Sequence, residues 1–133
     1  MSQENVEAVR RIVDAINRRD ADAWAAVVGP QFEFRSVFVG VEGRPYLGPE
    51  AGQRYFADLA EAWEDFRVEI EDSLDLGDER VLTTLRLRGR GKESGGEFEA
   101  QVWSVNGVRD GKIVSGRTFL ERREALEAVG LRE

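Results

Sequence analysis

The groups that could perform chemistry in this sequence are carboxylates, hydroxyls, lysines and arginines, because the chain contains neither cysteine nor histidine. The lack of cysteine excludes thiolate catalysis and disulfide bonds. The lack of histidine removes the commonest general base and a common ligand of zinc. We therefore expect no metal site and no cofactor.

Two charged residues in predicted strands could act on a bound ligand. Glu33 lies between Phe32 and Phe34, so strand alternation points its carboxylate away from the face that carries the two rings, and an exposed position is the simpler interpretation. Arg117 lies among apolar neighbours on the last predicted strand. It could hold a ligand carboxylate or enolate as a fixed cation, or it could form an ion pair on the outer face of the sheet.

Aromatic and hydroxyl side chains predict a neutral pocket for a hydrophobic or aromatic molecule. Tyr46 and Tyr55 flank a predicted loop and the helix after it, and each offers an apolar ring with a hydrogen-bonding tip. We expect Phe34, Ser36 and Ser104 to line the same pocket. The predicted ligand-binding set is Phe34, Ser36, Tyr46, Tyr55, Trp63, Ser104 and Arg117.

Charged residues alternate along two neighbouring predicted strands, and a hairpin near Ser94 would place the two rows opposite each other as cross-strand ion pairs. Trp103 falls on the same outer face, where an exposed tryptophan is either a subunit contact or simple cover for the sheet. The predicted dimer interface includes Trp103, Gln101 and Arg86. The two charged rows are Arg86, Arg88 and Arg90, and Glu97, Glu99 and Gln101.

The spacing of apolar residues predicts helices first and a run of strands afterwards. Ser2 and Asp20 are candidate N-caps, and Pro49 is expected at the first position of the third helix. This order predicts one α+β domain over residues 1–133, with a strongly curved antiparallel sheet wrapped around the N-terminal helices as a cone with a central pocket. The expected elements are helices at 2–18, 20–28 and from 49, strands at 32–39, 66–71, 81–89, 98–108 and 113–120, and a helix at 121–129.

Two stretches carry a resemblance that covers nearly the whole chain. They are YLGPEAGQRYFADLAEAWEDFRVEIEDSLDLGDERVL and VRDGKIVSGRTFLERREALEAVGL. Both resemble the SnoaL-like branch of the nuclear-transport-factor-2-like superfamily, which has a cystatin-like α+β cone. That superfamily includes ketosteroid isomerase, polyketide cyclases, limonene epoxide hydrolase, dehydratases and binding domains, so the fold does not settle the function. The resemblance also implies a homodimer formed through the outer face of the sheet.

The catalytic positions that the resemblance implies lack the required groups. Ketosteroid isomerases use a carboxylate base with a tyrosine and a protonated aspartic acid. The matching positions are Ile12, the stretch 34–36 and Ser104. The Asp-Arg-Asp motif of the epoxide hydrolases is absent, because Arg86 is followed two residues later by Arg88. The expected pocket-facing residues on the strand that a cyclase would use contain no acid: Phe98, Ala100, Val102, Ser104 and Asn106.

These observations favour the binding of a small hydrophobic or aromatic molecule. Two alternatives stay open: an isomerase, cyclase or dehydratase of SnoaL-like type that uses Glu33, Tyr55 or Arg117, and a structural homodimer without a ligand. The net charge of −7 opposes nucleic-acid binding. No apolar run approaches the roughly 20 residues that span a bilayer, and the N-terminus lacks the pattern of a signal peptide, so we expect a cytoplasmic protein.

Overall fold

The computed structural model describes residues 2–36 and 44–131, and within these ranges it contains four helices and six strands. Part of the predicted strand at 32–39 and most of the loop after it lie outside the described residues. In chain order the elements are α1 (Ser2–Arg18), α2 (Ala21–Val27), β1 (Val28–Arg35), β2 (Tyr46–Leu47), α3 (Ala51–Ala62), β3 (Trp63–Asp75), β4 (Arg80–Gly91), β5 (Glu97–Arg109), β6 (Lys112–Phe119) and α4 (Arg122–Ala128).

The strands form one open sheet in the order β2-β1-β6-β5-β4-β3. Strands β3 to β6 form the predicted antiparallel meander, and β2 also runs antiparallel to β1. The α+β class is confirmed, but the sheet is mixed, because β1 runs parallel to β6. That pairing joins the first and last strands of the chain, so no local sequence pattern could reveal its direction.

The concave side of the sheet wraps around α1, which contacts β3, β4, β5 and β6, and this confirms the predicted cone. Helical spacing places the apolar residues of α1 on one face, which is the buried face. The end of α1 is anchored by Asn17: its Nδ2 donates to the Val68 carbonyl and its Oδ1 accepts from the Val68 N–H, both at 2.8 Å. The buried apolar residues of this face include Val9, Ile12, Val13 and Ile16.

The first residues of the helices and strands show where local sequence signals predicted the start of an element correctly. Asp20 caps α2 as predicted, and its side chain accepts from the Ala23 N–H at 3.0 Å. Helix α3 begins at Ala51, two residues later than predicted, because Pro49 and Glu50 form a turn in which the Ala51 N–H bonds the Gly48 carbonyl at 3.1 Å. Strand β2 was not predicted, because a strand of two residues is too short to show the alternation of apolar and polar residues.

The outer face of the sheet is partly covered by α4. A small apolar cluster forms there, separate from the main core. It consists of Leu82, Phe119, Ala125 and Leu126, with Leu76, Trp103 and Val105 packed against it. Within the described part of the chain, no helix is long and apolar enough to cross a bilayer.

Candidate functional site

A cavity lies between the helices and the concave face of the sheet. The space open to the centre of a water-sized sphere is about 50 Å³. Helices α1, α2 and α3 form one side of it, and strands β1 and β3–β6 form the other. The cavity is lined by Val9, Ile12, Val13, Ile16, Trp24, Phe32, Phe34, Ser36, Tyr55, Phe66, Val68, Leu85, Leu87, Val102, Ser104, Asn106 and Thr118.

Four of the seven residues predicted to bind a ligand lie together in this lining. They are Phe34, Ser36, Tyr55 and Ser104. Strand alternation explains the result on β5, where Val102, Ser104 and Asn106 all face the cavity and their neighbours face outwards. Ile12 also lies in the lining, so every position matched to the isomerase site contributes to the cavity. None of the lining residues at these positions is acidic.

The other three predicted residues lie outside the cavity. Tyr46 packs behind its wall, with its ring centroid 6.2 Å from that of Phe34 and 5.2 Å from that of Tyr55. Its hydroxyl donates to Asp58 Oδ2 at 2.6 Å. Trp63 is the first residue of β3, not the end of α3, and its ring lies 5.0 Å from that of Phe98.

Arg117 lies on the outer face, where its guanidinium stacks 4.8 Å from the centroid of the Phe119 ring. The physical reason is the register of β6: Thr118 pairs with Ser104 and faces the cavity, so Arg117 faces away. Glu33 is also on the outer face, with its carboxylate 3.6 Å from Arg35 Nε. Of the three residues proposed for a catalytic role, Tyr55 alone lines the cavity.

Several lining residues were missed by the sequence reasoning. Thr118 neighbours Arg117 on β6, so strand alternation would have placed Thr118 in the cavity if the register of β6 had been known. Phe66 was assigned to a strand but not to the pocket, and it shares the inward face of β3 with Val68, which also lines the cavity. Trp24 was not among the predicted pocket residues, and it packs edge-on against Phe32 with the ring centroids 5.4 Å apart.

The polar atoms of the cavity lie on neighbouring strands and on α3. Ser104 Oγ donates to Asn106 Oδ1 at 3.3 Å, and Asn106 Nδ2 donates to the Ser115 carbonyl at 3.3 Å. Thr118 Oγ1 donates to the Arg35 carbonyl at 3.5 Å. Together these contacts hold an uncharged polar strip on one wall of an otherwise apolar cavity.

Tyr55 is a neutral hydrogen-bonding group at the other end of this strip. Burial raises the pKa of its phenol above the ordinary value of 10.0, while the nearby Arg19 charge and a hydrogen bond from Ser36 lower it. The phenol has one proton to donate and an oxygen that can accept. A phenol with a raised pKa cannot act as a base near neutral pH, so Tyr55 is suited to donating a hydrogen bond.

No lining residue in the described part of the chain is charged at neutral pH. An uncharged lining favours an uncharged ligand, because burying an unpaired charge is costly. The indole nitrogen of Trp24 is also buried without an acceptor among the described residues. The arrangement can therefore bind a small neutral molecule and orient its polar atoms.

The charged ladder on the outer face has the predicted register. Arg86 pairs with Gln101, Arg88 with Glu99 and Arg90 with Glu97. The Arg86 guanidinium lies 3.0 Å from both Glu71 and Glu99, and Gln101 Nε2 donates to Glu71 at 3.0 Å. The remaining contacts are longer, at 3.7 Å for Arg88–Glu99 and 3.5 Å for Arg90–Glu97. Trp103 lies beside this ladder and is half-buried against the cluster under α4.

Comparison with protein families gives one match. A model described as a SnoaL-like domain covers residues 9–116. Comparison with curated proteins gives no match.

Solved structures share the fold at low sequence identity. A putative SnoaL-like polyketide cyclase from Jannaschia sp. superposes with a TM-score of 0.75 and 22% identity, over 99% of this chain and 95% of that one. A protein with a ketosteroid isomerase-like fold from Catenulispora acidiphila, in complex with trimethylamine, superposes with a TM-score of 0.75 and 18% identity, over 94% of this chain and 93% of that one. TerC co-crystallised with polyporic acid superposes with a TM-score of 0.75 and 18% identity, over 93% of this chain and 96% of that one.

Proposed function

Because the chain belongs to the SnoaL-like domain family, we propose that it binds a small, uncharged and mostly apolar molecule in the cavity of its cone. The observation that carries this proposal is the composition of the lining. Apolar and aromatic walls enclose a few uncharged polar groups, which is the usual character of a small-molecule site. The ligands in two similar structures, trimethylamine and polyporic acid, support the use of this fold for binding small molecules.

The volume of the cavity sets the size of the ligand. About 50 Å³ holds roughly four water molecules, since one water needs about 10–15 Å³ by this measure. A cavity that binds benzene is larger, at about 150 Å³. A ligand of about four non-hydrogen atoms therefore fits the cavity in its present state, and a ring enters only when the walls move apart.

Binding is favoured over acid–base catalysis because the described lining residues supply no carboxylate. Glu33 and Arg117, two of the three candidate catalytic residues, face the opposite side of the sheet. The third, Tyr55, has a raised pKa and acts in this proposal as a neutral donor to a ligand oxygen.

The proposal is tested with ligands of increasing size: acetone, cyclopentanol, phenol and 2-naphthol. Each is added to the protein at several concentrations and the melting temperature is measured, because a ligand that binds the folded state raises it. We expect a concentration-dependent rise for at least one member of the series. No rise for any of them would contradict the proposal.

Two matched variants locate the binding. Ser104→Leu fills the cavity, whereas Thr84→Leu adds a similar side chain on the outer face of the neighbouring strand. We expect the ligand-induced shift to disappear in Ser104→Leu and to persist in Thr84→Leu. If both variants lose the ligand-induced shift, or if neither loses it, the ligand binds elsewhere.

We also infer that the outer face of the sheet forms a homodimer. Leu74 is 50% exposed there, beside Leu82 and near the half-buried Trp103. An exposed leucine next to an apolar cluster can form the centre of a subunit contact. Light scattering tests this: we expect twice the monomer mass for the native protein and a shift to monomer for Leu74→Glu, but not for Gln53→Glu on α3. A native monomer at high concentration would overturn the inference.

A further inference from the structure

A groove on the outer face of the sheet takes no part in the proposed binding function. Strands β1, β6 and β5 form its floor, and the end of α4 borders it. By the same measure as for the central cavity, its volume is about 320 Å³, more than the roughly 150 Å³ of a cavity that binds benzene. We call it the arginine groove, because three arginines line it together with apolar surface. These residues are Arg35, Arg80 and Arg117, and Val105, Phe119 and Ala128.

Positive charge dominates the arginine groove. One acid, Glu33, lines it beside the three arginines, so the lining has a net charge of +2 in a chain whose net charge is −7. Arg35 Nε lies 3.6 Å from Glu33 Oε1. Arg80 Nε donates to both carboxylate oxygens of Asp78 at 3.0 Å. Arg117, in contrast, forms no ion pair with any residue that the structure describes. It is therefore the arginine whose charge is available to a ligand.

The cross-strand neighbours of Arg117 differ from those in the charged ladder on the same face. In the ladder, Arg88 and Arg90 each face a glutamate on the next strand. Arg117 is paired instead with Arg35 on β1 and with Val105 on β5. Like charges on directly paired residues destabilise a sheet. An anion bound beside Arg117 would relieve this repulsion.

The contact with Phe119 leaves Arg117 able to hold a carboxylate. Its guanidinium lies over the Phe119 ring, 4.8 Å from the centroid, and this phenylalanine is 7% exposed. Contact with an aromatic face uses the charge of the guanidinium and leaves its N–H groups able to donate. None of these N–H groups donates to a residue within 2–36 or 44–131. Their planar fork matches the two oxygens of a carboxylate.

We propose that the arginine groove binds a small carboxylate with an apolar body. Arg117 donates two hydrogen bonds to the carboxylate, while Val105 and Ala128 contact the apolar body. The charges of Arg35 and Arg80 attract the anion, and both arginines keep their contacts with acids. The sheet separates this site from the central cavity, so the proposal does not rest on the binding function proposed above.

Titration of the isotope-labelled protein with benzoate, benzamide and acetate, followed by NMR, tests the proposal. Benzamide has the shape of benzoate without its charge, and acetate has the charge without the ring. We expect benzoate to shift the backbone amide signals of Ser115 and Gly116 saturably, and to bind more tightly than the other two molecules. The amide signal of Ile12, beside the central cavity, should not respond.

Three variants identify the residue that binds the anion. Arg117→Gln should weaken benzoate binding about five- to tenfold, as expected when charge-assisted hydrogen bonds at an exposed position are lost. Arg117→Lys keeps the charge but loses the planar fork, so its affinity should fall between those of Arg117→Gln and the native protein. Arg88→Gln is the matched control, because it removes another exposed arginine from the same face, and it should leave the affinity unchanged.

Several results would overturn the proposal. Equal binding of benzamide and benzoate would show that charge is not recognised, and equal binding of acetate would show that the apolar body is not. Equal weakening by Arg88→Gln would indicate general attraction to positive charge. Shifts confined to Ile12 would place benzoate in the central cavity, and this inference would then fail while the cavity still bound a ligand.

Light scattering separates a small ligand from a second copy of the chain. The proposed dimer contact at Leu74 lies on β3, at the other edge of the sheet, so Arg117→Gln should leave the oligomeric state unchanged. If this variant converts a native dimer into a monomer, an acidic side chain of the second copy fills the groove, and the proposal of a small carboxylate is overturned.

Discussion

Asn17 is predicted to contribute more to stability than any other polar side chain on α1. Strand β3 is the last strand of the sheet, so the backbone groups on its outer edge have no neighbouring strand. Asn17 satisfies two of them, the Val68 N–H and carbonyl, at 2.8 Å each. Arg19 bonds the Phe66 carbonyl at 2.8 Å in the same way. The end of α1 therefore takes the place of a further strand.

The expected cost of Asn17→Ala follows from these contacts. Leaving a buried donor or acceptor unpaired costs about 1–3 kcal/mol, and Val68 is 8% exposed. Two such groups would cost about 2–6 kcal/mol if fully buried, and because these contacts are part-buried we expect a loss of about 2–4 kcal/mol in the free energy of unfolding. For a domain of this size, that corresponds to a fall of roughly 6–20 °C in Tm.

Asn17→Asp separates the two hydrogen bonds. The carboxylate can still accept from the Val68 N–H, but its other oxygen faces the Val68 carbonyl in place of a donor. We expect it to be at least as unstable as Asn17→Ala near neutral pH and to regain stability at acidic pH, where a protonated carboxyl can donate.

Urea unfolding followed by circular dichroism measures these differences, with Arg18→Ala as the control. Arg18 forms an exposed i,i+4 ion pair with Asp14 at 2.9 Å, and such pairs contribute about 0.3–0.5 kcal/mol. If Asn17→Ala loses no more stability than Arg18→Ala, the reasoning about the edge of β3 is refuted.

Three further predictions concern packing, titration and surface charge. Gly52→Ala should destabilise the protein by about 1–2 kcal/mol despite better helix propensity, because its Cβ would lie 2.7 Å from Trp24 Cγ; an unchanged urea midpoint would contradict this close approach. Burial raises the pKa of both tyrosines, and for Tyr46 a hydrogen bond to a carboxylate adds to the shift, so stability should fall as the pH rises above about 10. Phenolate absorbance should therefore develop at a higher pH in the folded protein than in denaturant, and coincident curves would argue against it. Arg86→Ala should lower the urea midpoint only slightly, and that loss should shrink in high salt; an effect that salt leaves unchanged would indicate more than exposed ion pairs.

One strand register of the meander, that of β4 against β5, was readable from the sequence. The charged rows along β4 and β5 fixed their pairing, because only one register sets Arg88 and Arg90 opposite Glu99 and Glu97. The same alternation placed Ser104 correctly in the cavity wall.

The remaining features depend on contacts between distant parts of the chain. The parallel pairing of β1 with β6 follows from how the first and last strands meet. The face on which Arg117 lies follows from the register of β6 against β5, which shifts between Gly107 and Val108. Tyr46 looked suited to a pocket, but the pairing of β2 with β1 places its ring behind Phe34. Side-chain chemistry alone could not distinguish these positions.

The most direct test of the proposed binding function is a methyl NMR titration with the same series of ligands: acetone, cyclopentanol, phenol and 2-naphthol. Ile12, Leu85 and Val102 report from the cavity, whereas Leu74 reports from the exposed outer face. The proposal predicts saturable shifts of the three cavity methyl signals and none at Leu74. Shifts confined to Leu74, or no saturable shift at any of these positions, would contradict it.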